Sequence, residues 1–590
     1  MDVRSRIGVG VLFIAIVLCE HPVLAQAQSL TPGGLDLSST FEAISVRAHF
    51  SGDSNANATA RVQFRKSGDV AWHDAYTPFI DRRATLGGVA NPLVNEARVS
   101  VVGLTPNTSY DVQVTWSDPD GVSGSQPSIQ TISTLTLTPP TGGTTISVST
   151  DAQLSSALST VNPGQTIHLN PGTYRPFSIA RSGTSSAFIV VEGNPALTSI
   201  VSGAGTPQNG ANLSINANFL MIRQLTFGPA DWNAIIVGNN RHDIYIQNTT
   251  ILAVSVLCAQ GPTTSHYDDA GIYLGGSFGG TVSNIFIQNN SITAGPALNG
   301  CVQSPAYNGP GSGVRVFKAS TLVINNNSVT GAFRDAISAD DDLYTENNDF
   351  SRNTVQDYVD DGMETKGHNI NVRVWANTVL ATQANTCFAI NTNDATVRYG
   401  PQYVFRNTCR ATRTLISGGG TAYKMGGAPT YIFHNSVDTS SAPSPGFDGF
   451  DNGEGGPASV EYTVVNNITR TNDSIVGNGV PGNTFDYNLS ATNGGWAWNW
   501  NGSASYQTFA NWKSGTGQDA HSLNASPLFI DASLHIDATS PAVDKGVILP
   551  NFNTPDSAWP FAGTAPDIGA FEFGTPTSQR PSSPAGAGLR

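Results

Sequence analysis

The sequence predicts an all-β protein in which a small antiparallel β-sandwich precedes a long right-handed parallel β-helix. Of the 590 residues, 61 are glycine, 39 % are apolar and only 12 % are charged, a composition typical of many short strands joined by tight turns. An early segment alternates apolar and polar residues. Beyond it, a short asparagine-containing phrase recurs at intervals that indicate a solenoid. The chain is also too long for one ordinary hydrophobic core, which favours a repeat array plus a second domain.

The charge balance restricts the class of partner. Lysine and arginine total 29 against 43 aspartate and glutamate residues, a formal net charge of −14. Nucleic acid is therefore a disfavoured partner, because phosphate binding depends on clustered cations. An anionic polysaccharide would have to meet a local basic patch.

Residues 1–27 have the pattern of a secretory signal peptide. Arg4 and Arg6 precede an apolar run at 9–18, and small residues at 23–25 offer a cleavage site. The run is too short to span a bilayer, so we expect no membrane insertion. The sequence thus predicts a secreted protein, either extracellular or periplasmic.

The predicted sandwich covers residues 38–137. Short alternating runs at 43–48 and 112–116 are typical of an antiparallel sandwich. The phrase Leu-Thr-Pro-Asn-Thr-Ser-Tyr at 104–110 resembles the tyrosine corner of fibronectin type III domains. That resemblance implies that Trp72 is the buried tryptophan of an earlier strand. We interpret this domain as a spacer or a protein-docking module.

Residues 138–147, rich in Pro, Thr and Gly, are expected to be a linker, and 148–573 form the predicted β-helix. Apolar residues at helical spacing in 151–161 predict a short helix that caps the open end of the solenoid. The phrase at 163–174 resembles the opening coil of pectate-lyase-like β-helix proteins, and the phrases at 540–546 and 567–572 resemble closing segments of bacterial β-helix proteins. Residues 574–590 are expected to be a disordered tail.

The repeated phrase is an asparagine, then usually Ser or Thr, then an apolar residue. The spacings between successive copies are 37, 26, 24, 30, 28 and 31 residues. Asparagine suits a tight bend between strands, and its amide can hydrogen-bond to the next copy along a ladder. The apolar residue, two positions after the asparagine, should point into the core. The copies begin at Asn290, Asn327, Asn353, Asn377, Asn407, Asn435 and Asn466.

Four cysteines remain after the predicted signal peptide. Cys258 and Cys301 lie in long insertions and could form a disulfide in an oxidising compartment. Cys387 and Cys409 occupy apolar positions of the repeats, so we expect them to be core thiols.

Alignment of coils on the asparagines predicts a column of stacked carboxylates. Asp335 lies eight residues after Asn327, and Asp361 lies eight after Asn353. The two aspartates should be neighbours at the spacing of adjacent strands, about 4.8 Å. Asn385 holds the same offset in the next coil.

Further charged residues fall on the same stretch of one face. The same alignment sets Asp360 beside Arg334, Glu364 beside Ser338 and Lys366 beside Asp340, and a coil aligned on Gly313 and Val314 adds two cations. For a chain with 12 % charged residues this is a concentration that favours a functional site. The candidate site comprises Arg315, Lys318, Arg334, Asp335, Asp340, Asp341, Asp360, Asp361, Glu364, Lys366 and His368.

Stacked carboxylates repel one another unless a cation or a shared proton lies between them. Ca²⁺ accepts several oxygen ligands in flexible geometry, and the predicted ligands are Asp335, Asp360, Asp361 and Glu364. In polysaccharide lyases such an ion neutralises the uronate carboxylate and eases removal of the proton next to it. Lys366 is the candidate base, on the expectation that cationic neighbours and burial lower its pKa.

The phrase Asp-Gly-Met-Glu-Thr-Lys-Gly-His-Asn at 361–369 resembles a phrase common in β-helix repeat proteins and the lysine-bearing coil of chondroitinase-B and alginate lyases. The resemblance implies a uronate-containing polysaccharide as substrate. The predicted catalytic residues are Lys366, Asp361, Asp335 and Arg315. The predicted substrate-binding residues are His368, Lys318, Arg334 and Trp498.

Several alternatives stay open at this point. Asp335 and Asp361 would also serve as the carboxylate pair of a glycoside hydrolase. The fold is equally compatible with a non-catalytic, glycan-binding protein of the cell surface. The Asp-Asp and Asp-Gly pairs are ordinary turn residues, and Lys366 could belong to a solvated ladder of charges. Trp498, in the run Trp-Ala-Trp-Asn-Trp at 496–500, would either stack on a sugar or pack inside.

Overall fold

The computed structural model describes most of the chain between residues 28 and 574, and nearly all of it is β-structure, which confirms the predicted fold class. The residues within that range that are not described are 204–210, 231, 253–268, 276–279, 294–310, 332–333, 340–344, 368, 382–385, 393, 413–419, 443–446, 453–460, 493–497 and 503.

Two four-stranded antiparallel sheets form the N-terminal domain. Its strands are β1 (Thr31–Ser39), β2 (Ala43–Ser51), β3 (Thr59–Lys66), β4 (His73–Asp74), β5 (Phe79–Asp81), β6 (Thr85–Leu86), β7 (Val89–Ala90), β8 (Glu96–Val102), β9 (Ser109–Ser117) and β10 (Ser128–Ser133). One sheet has the order β1-β2-β8-β5 and the other β10-β9-β3-β4, while β6 and β7 form a separate hairpin.

The tyrosine expected at the corner is buried, and its hydroxyl accepts a hydrogen bond from the Thr105 amide at 3.0 Å. The expectation for Trp72 is wrong. Trp72 is only half-buried beside the short strand β4, and the Arg65 guanidinium covers its ring at 4.4 Å. The core tryptophan is Trp116, which is 3 % exposed and points inward on β9 with the alternate residues Val112 and Val114.

The second domain winds through three long sheets in which each strand pairs in parallel with the equivalent strand of the next coil, except at β49. Sheet I contains β11 (Thr145–Val148), β12 (Thr166–Leu169), β15 (Ile189–Glu192), β18 (Leu220–Arg223), β21 (His242–Gln247), β24 (Val282–Gln288), β27 (Ala319–Asn325), β30 (Thr345–Glu346), β31 (Asp349–Ser351), β34 (Val372–Trp375), β37 (Gln402–Phe405), β40 (Thr430–Phe433), β43 (Tyr462–Val465) and β46 (Thr484–Asp486). Sheet II contains β13 (Gly172–Tyr174), β16 (Ser199–Val201), β19 (Thr226–Phe227), β22 (Thr250–Leu252), β25 (Ser291–Thr293), β28 (Ser328–Thr330), β32 (Thr354–Gln356), β35 (Thr378–Ala381), β38 (Thr408–Ala411), β41 (Ser436–Asp438), β44 (Ile468–Thr471), β47 (Leu489–Thr492) and β50 (Leu523–Asn524). Sheet III contains β14 (Phe177–Ile179), β17 (Leu213–Ile215), β20 (Ile235–Val237), β23 (Ala270–Leu274), β26 (Ser312–Val316), β29 (Ile337–Ala339), β33 (Asp361–Thr365), β36 (Thr386–Ala389), β39 (Gly420–Lys424), β42 (Phe447–Asp451), β45 (Val476–Gly479), β48 (Trp498–Trp500) and β49 (Ala504–Tyr506).

A helix closes each end of this coil. The predicted cap is helix α1 (Asp151–Thr160), which buries Leu154 and Ala157 in the main core. The Thr150 side chain accepts a hydrogen bond from the Gln153 amide, as an N-cap residue does. Helix α2 (Phe509–Thr516) closes the other end with Trp512. A 3₁₀ turn, Ala395–Val397, lies between β36 and β37.

The asparagine ladder is confirmed at six of its seven predicted positions. Each amide group donates to the side-chain oxygen of the next asparagine at 2.9–3.2 Å, from Asn290 through to Asn488. One position is corrected: the ladder runs through Asn467, not Asn466. In that coil Ile468 faces outward, where C-terminal residues cover it, so the phrase is displaced by one residue.

The sandwich is packed against the outer face of sheet I and is not a detached spacer. Arg373 of β34 is fully buried and donates to Asp349 at 2.5 Å and to Ser100 of β8 at 3.1 Å. An aromatic cluster joins Ala43 and Val102 of the sandwich to sheet I and to the C-terminal segment. Its buried members outside the sandwich are Trp375, Tyr403, Phe405, Phe433, Val465, Leu549, Phe552 and Trp559.

The predicted linker also makes contacts. Leu137 packs on the outer residues of sheet I, the Phe188 amide donates to the Pro140 carbonyl at 2.8 Å, and β11 already begins at Thr145. At the other end of the chain, Ile536 and Ile568 pack on sheet II.

Two side-chain expectations are wrong. Cys387 and Cys409 are buried in the core as predicted, but they form a disulfide, because strands β36 and β38 bring their Cα atoms to 6.1 Å. Cys258 and Cys301 lie outside the described residues. Trp498 is 2 % exposed and packs against Phe509 of α2, which is the packing alternative and not the sugar-stacking one.

None of the helices in the described part of the chain is both long enough and apolar enough to cross a membrane.

Candidate functional site

The candidate site lies on the outer face of sheet III. Strands β26, β29, β33, β36, β39 and β42 are in register, so equivalent residues form columns along the axis. Met363, Phe388 and Tyr423 point into the core. The residue two positions before each of these and the residue directly after it form two outer columns. The first contains Asp335, Asp361, Thr386, Thr421 and Asp448, and the second contains Arg315, Ser338, Glu364, Ala389, Lys424 and Asp451.

The predicted stacking of the aspartates is confirmed. The Asp361 amide donates to Asp335 Oδ1 at 3.4 Å, and Glu364 lies beside Ser338, whose hydroxyl donates to Glu364 Oε2 at 3.1 Å. Within the described residues, one oxygen each of Asp335, Asp361 and Glu364 lies within 4.8 Å of the other two. We call these three residues the carboxylate triad.

The triad is buried, with 1 % exposure for Asp335 and 2 % for Asp361 and Glu364. Asp361 Oδ1 has no hydrogen-bond partner among the described residues. Asp360, the fourth predicted calcium ligand, is half-buried and stands beside the triad rather than in it. Three of the four predicted ligands therefore converge.

Burial and crowding of like charges perturb these carboxyl groups. Burial, with the Asp335 and Glu364 charges, raises the pKa of Asp360 to about 7. Burial, with Asp360 and Glu364, also raises the pKa of Asp361. Glu364 shows the opposite shift: burial alone would raise its pKa, but the charges of Lys366 and Arg334 outweigh burial and lower it.

The expected depression of the Lys366 pKa is wrong. Burial works in that direction, but the carboxylates of Glu364 and Asp361 outweigh it and raise the pKa of Lys366. Lys366 forms an ion pair with Glu364, two residues before it. In the protein without a bound cation, Lys366 therefore stays protonated at neutral pH and is a poor proton acceptor.

The structure also places three further predicted cations. Arg334 lies 3.3 Å from Asp335, measured from Nε to Oδ2. Arg315 pairs in register with Ser338, and its guanidinium lies 5.0 Å from the centre of the Phe317 ring. Lys318 is half-buried in the turn before β27. Asp340, Asp341, His368 and Asn385 lie outside the described residues.

Lys424 is a further cation on this face that the sequence does not single out. It is half-buried on β39, and its charge counteracts the raised pKa values of Asp360 and Asp361. Alignment on the asparagines misses it because the segment between Asn407 and β39 is longer than its counterpart before β33. A usable signal is the three-residue spacing of Thr421 and Lys424, which matches that of Asp361 and Glu364.

A model of the family described as "Right handed beta helix region" matches residues 211–399. This stretch is a right-handed β-helix. Among solved structures, the chain is similar to the PL6 family alginate lyase AlyGC, with 13 % identity, a TM-score of 0.39, and coverage of 67 % of this chain and 55 % of the lyase. A mutant of the same lyase gives 14 % identity, a TM-score of 0.35, and coverage of 68 % and 60 %.

A family 28 exopolygalacturonase from Yersinia enterocolitica is similar at 12 % identity, with a TM-score of 0.27 and coverage of 81 % of this chain and 97 % of that enzyme. Of the two alginate lyase structures, this chain covers less than two thirds of the length, 55 % and 60 %. A search of curated protein sequences returns no match.

The chemistry open to this site follows from its donor set. Three buried carboxylates supply hard oxygen ligands suited to Ca²⁺. The lysines and arginines around them can attract a substrate carboxylate, and perturbed carboxyl groups are typical of acid–base sites.

Proposed function

We propose that this protein is a secreted enzyme that cleaves a uronate-containing polysaccharide by β-elimination, assisted by a calcium ion. The observation that carries the proposal is the convergence of Asp335, Asp361 and Glu364 on one outer face, flanked by cations. The predicted signal peptide supports export. The disulfide between Cys387 and Cys409 supports it independently, because disulfides persist in oxidising compartments.

The residues fit a calcium ion. All three converging donors are carboxylate oxygens, and Asp361 Oδ1 is buried without a hydrogen-bond partner among the described residues. Asp360 stands next in the chain as a fourth oxygen donor. A calcium ion held there would neutralise the substrate's carboxylate and so acidify the proton on the adjacent carbon.

The cations of the chain would bind and orient the sugar. Arg315 is positioned to attract a uronate carboxylate, and Lys366, held protonated by Glu364, is positioned to do the same nearer the triad. Lys424 is the candidate base because it lies on the same outer face of sheet III, two strands beyond Glu364 in the same column.

β-Elimination needs one base and one proton donor. The base takes the proton next to the carboxylate, that carbon's electron pair forms a double bond, and the glycosidic oxygen on the neighbouring carbon leaves. The leaving oxygen then takes a proton from Lys366 or from water.

The test is incubation with pectate, alginate and glycosaminoglycans while the ultraviolet absorbance of the unsaturated product is followed, with calcium or with a chelator. We expect turnover of at least one polymer, lost in chelator and restored by calcium. Absence of unsaturated product from the whole panel in both conditions would overturn the proposal.

Asp361→Asn tests the site directly. We expect activity to fall more than about 100-fold, because a direct ligand should matter at least as much as an outer-shell partner. Asparagine keeps the shape of the side chain, so the melting temperature without calcium should stay level or rise as like-charge repulsion is relieved. Glu461→Gln, an exposed position before β43, is the matched control. Full activity in a folded Asp361→Asn variant would remove the triad from catalysis.

A glycoside hydrolase is the second candidate function. It is favoured by the opposite pKa shifts of Asp361 and Glu364, since a protonated and an ionised carboxyl group can divide the acid and base roles. Oxygens of Asp361 and Glu364 lie within 4.8 Å of each other, as do those of the predicted pair Asp335 and Asp361, a separation nearer to that of retaining than of inverting enzymes. New reducing ends without unsaturated product would favour this function.

A further inference from the structure

The outer face of sheet III changes its charge along the axis of the β-helix. On the N-terminal side of the triad lies Arg315, two strands before Glu364 in the same column. On the C-terminal side the same column continues through Ala389 and Lys424 to Asp451. The cations therefore end at Lys424, and an acidic residue follows in the next strand.

The neighbouring column ends in the same way. After Asp361 come the uncharged residues Thr386 and Thr421, and then Asp448. Asp473 adds a third acidic group, since the Ser474 amide donates to Asp448 Oδ1 at 3.1 Å and to Asp473 Oδ1 at 3.0 Å.

Asp448 and Asp451 are fixed on the sheet surface. A Cβ atom added to Gly477 on β45 would lie 2.6 Å from Asp448 Oδ2 and 3.4 Å from Asp451 Cβ, so both side chains lean over this glycine. Burial, with the charges of Asp473 and Asp451, raises the pKa of Asp448 to about 7. This crowding of acidic groups has a cost in free energy that a purely structural surface would avoid.

We propose that Asp448 and Asp451 bound the substrate groove: a uronate chain that lies over the triad extends toward Arg315 and Lys318 and stops before β42. The proposal rests on the function proposed above. At the spacing of adjacent strands, the boundary lies three strands, or about 14 Å, beyond the triad, which leaves room for only a few sugars. Negative charge at Asp451 and Asp473, joined by Asp448 as it ionises, repels a uronate there, while the cations on the opposite side attract one.

The consequence is cleavage near one end of the polymer, with short products. The experiment uses oligo-uronates of defined length, taken from the polymer that the wild-type protein cleaves, and resolves the products by mass. We expect wild-type products of a narrow, short length range. The double variant Asp448→Asn, Asp451→Asn should release longer products, and it should cleave the polymer several-fold faster at low salt.

The dependence of cleavage on salt concentration distinguishes electrostatic repulsion of the substrate from a change in the shape of the groove. Because repulsion between partly exposed charges is screened, the gain of the double variant should disappear at high ionic strength. Glu461→Gln removes one negative charge at an exposed site before sheet I strand β43 and should keep the wild-type products. If the double variant fails to fold, Asp473→Asn replaces it, with a smaller shift expected in the same direction.

The outcomes distinguish the two proposals. Unchanged product lengths and unchanged salt dependence in a folded, active variant would overturn the boundary alone. A wild-type protein that cleaves none of the uronate polymers would overturn the proposed function, and the boundary with it.

Discussion

At the scale of single residues, the register of the stacked coils decides which charged side chains of the candidate site meet. Asp335 and Asp361 are found as neighbours because the asparagine ladder fixes the register of their coils. The predicted shift of the Lys366 pKa is wrong in direction because the partner that controls it is Glu364, two residues before it in the chain. Lys424 is missed because the variable segment before β39 breaks the constant offset.

A pH dependence of stability follows from these carboxyl groups. The folded-state pKa of Asp360 is raised to about 7, whereas an unfolded aspartate has a pKa of about 3.9. Between those values the folded chain retains a proton that the unfolded chain has lost, so the free energy of unfolding falls as pH rises from about 4 to 7. Asp361, with its pKa also raised, adds to the fall.

The measurement is urea unfolding in chelator across this pH range. The double variant Asp360→Asn, Asp361→Asn should show a clearly shallower decline than the wild type. Calcium should flatten the wild-type curve, because it binds the ionised carboxylates of the folded form and therefore stabilises that form more at the higher pH. Identical pH profiles for wild type and variant would mean that these groups titrate normally.

At the scale of the repeat, the asparagine phrase predicts the ladder because one short motif supplies the bend, the hydrogen bonds and the register. The prediction fails by one residue at Asn466, where two asparagines adjoin. There the apolar Ile468 takes the outward position, since the C-terminal residues Ile536 and Ile568 cover it. A contact with a distant segment of the chain thus overrides the local sequence pattern.

Asn377→Ala tests the ladder. The Asn377 amide donates to Asn407 Oδ1 and to the Phe350 carbonyl, both at 2.9 Å, and its own oxygen accepts from Asn353. Truncation leaves several buried polar groups unpaired, so we expect the free energy of unfolding to fall by about 3 kcal/mol or more. Thr378→Ala, its exposed neighbour, should change it by less than about 0.5 kcal/mol. Equal effects of the two variants in urea titrations would contradict a structural role of the ladder.

The disulfide between Cys387 and Cys409 is a second feature that stabilises the repeats. The sequence places Cys387 and Cys409 in the core correctly, but their proximity depends on how sheets II and III meet across neighbouring coils. Their sequence separation is 22 residues, and opening a loop of that size should cost about 3 kcal/mol through the entropy of the unfolded chain. We expect the double variant Cys387→Ala, Cys409→Ala to keep its activity at moderate temperature and to lose this stability in denaturant. Unaltered stability would show that the crosslink does not form.

At the scale of the whole molecule, the sequence predicts both domains but not their contact. The alternation in 38–137 and the asparagine phrase each arise from local periodicity. The interface depends on outward residues of sheet I such as Tyr403 and Phe405, which periodicity alone does not distinguish from core residues. The sandwich covers the outer face of sheet I, whereas the carboxylate triad lies on sheet III.

One buried arginine joins the two domains at this interface. Arg373 is fully buried and donates to Asp349, to Asn347 and to Ser100 of the sandwich. Arg373→Ala leaves the Asp349 carboxylate buried without its cation, which should cost about 3–5 kcal/mol. Because the pair lies between the domains, we expect the loss to appear in both of them, as one calorimetric transition shifted to lower temperature. Ser100→Ala removes one hydrogen bond that the Arg373 guanidinium donates across the same interface, and it should cost less, about 1.5–3 kcal/mol. Two separate transitions in the wild-type protein, with the β-helix transition unmoved by Arg373→Ala, would restore the interpretation of the sandwich as an independent spacer.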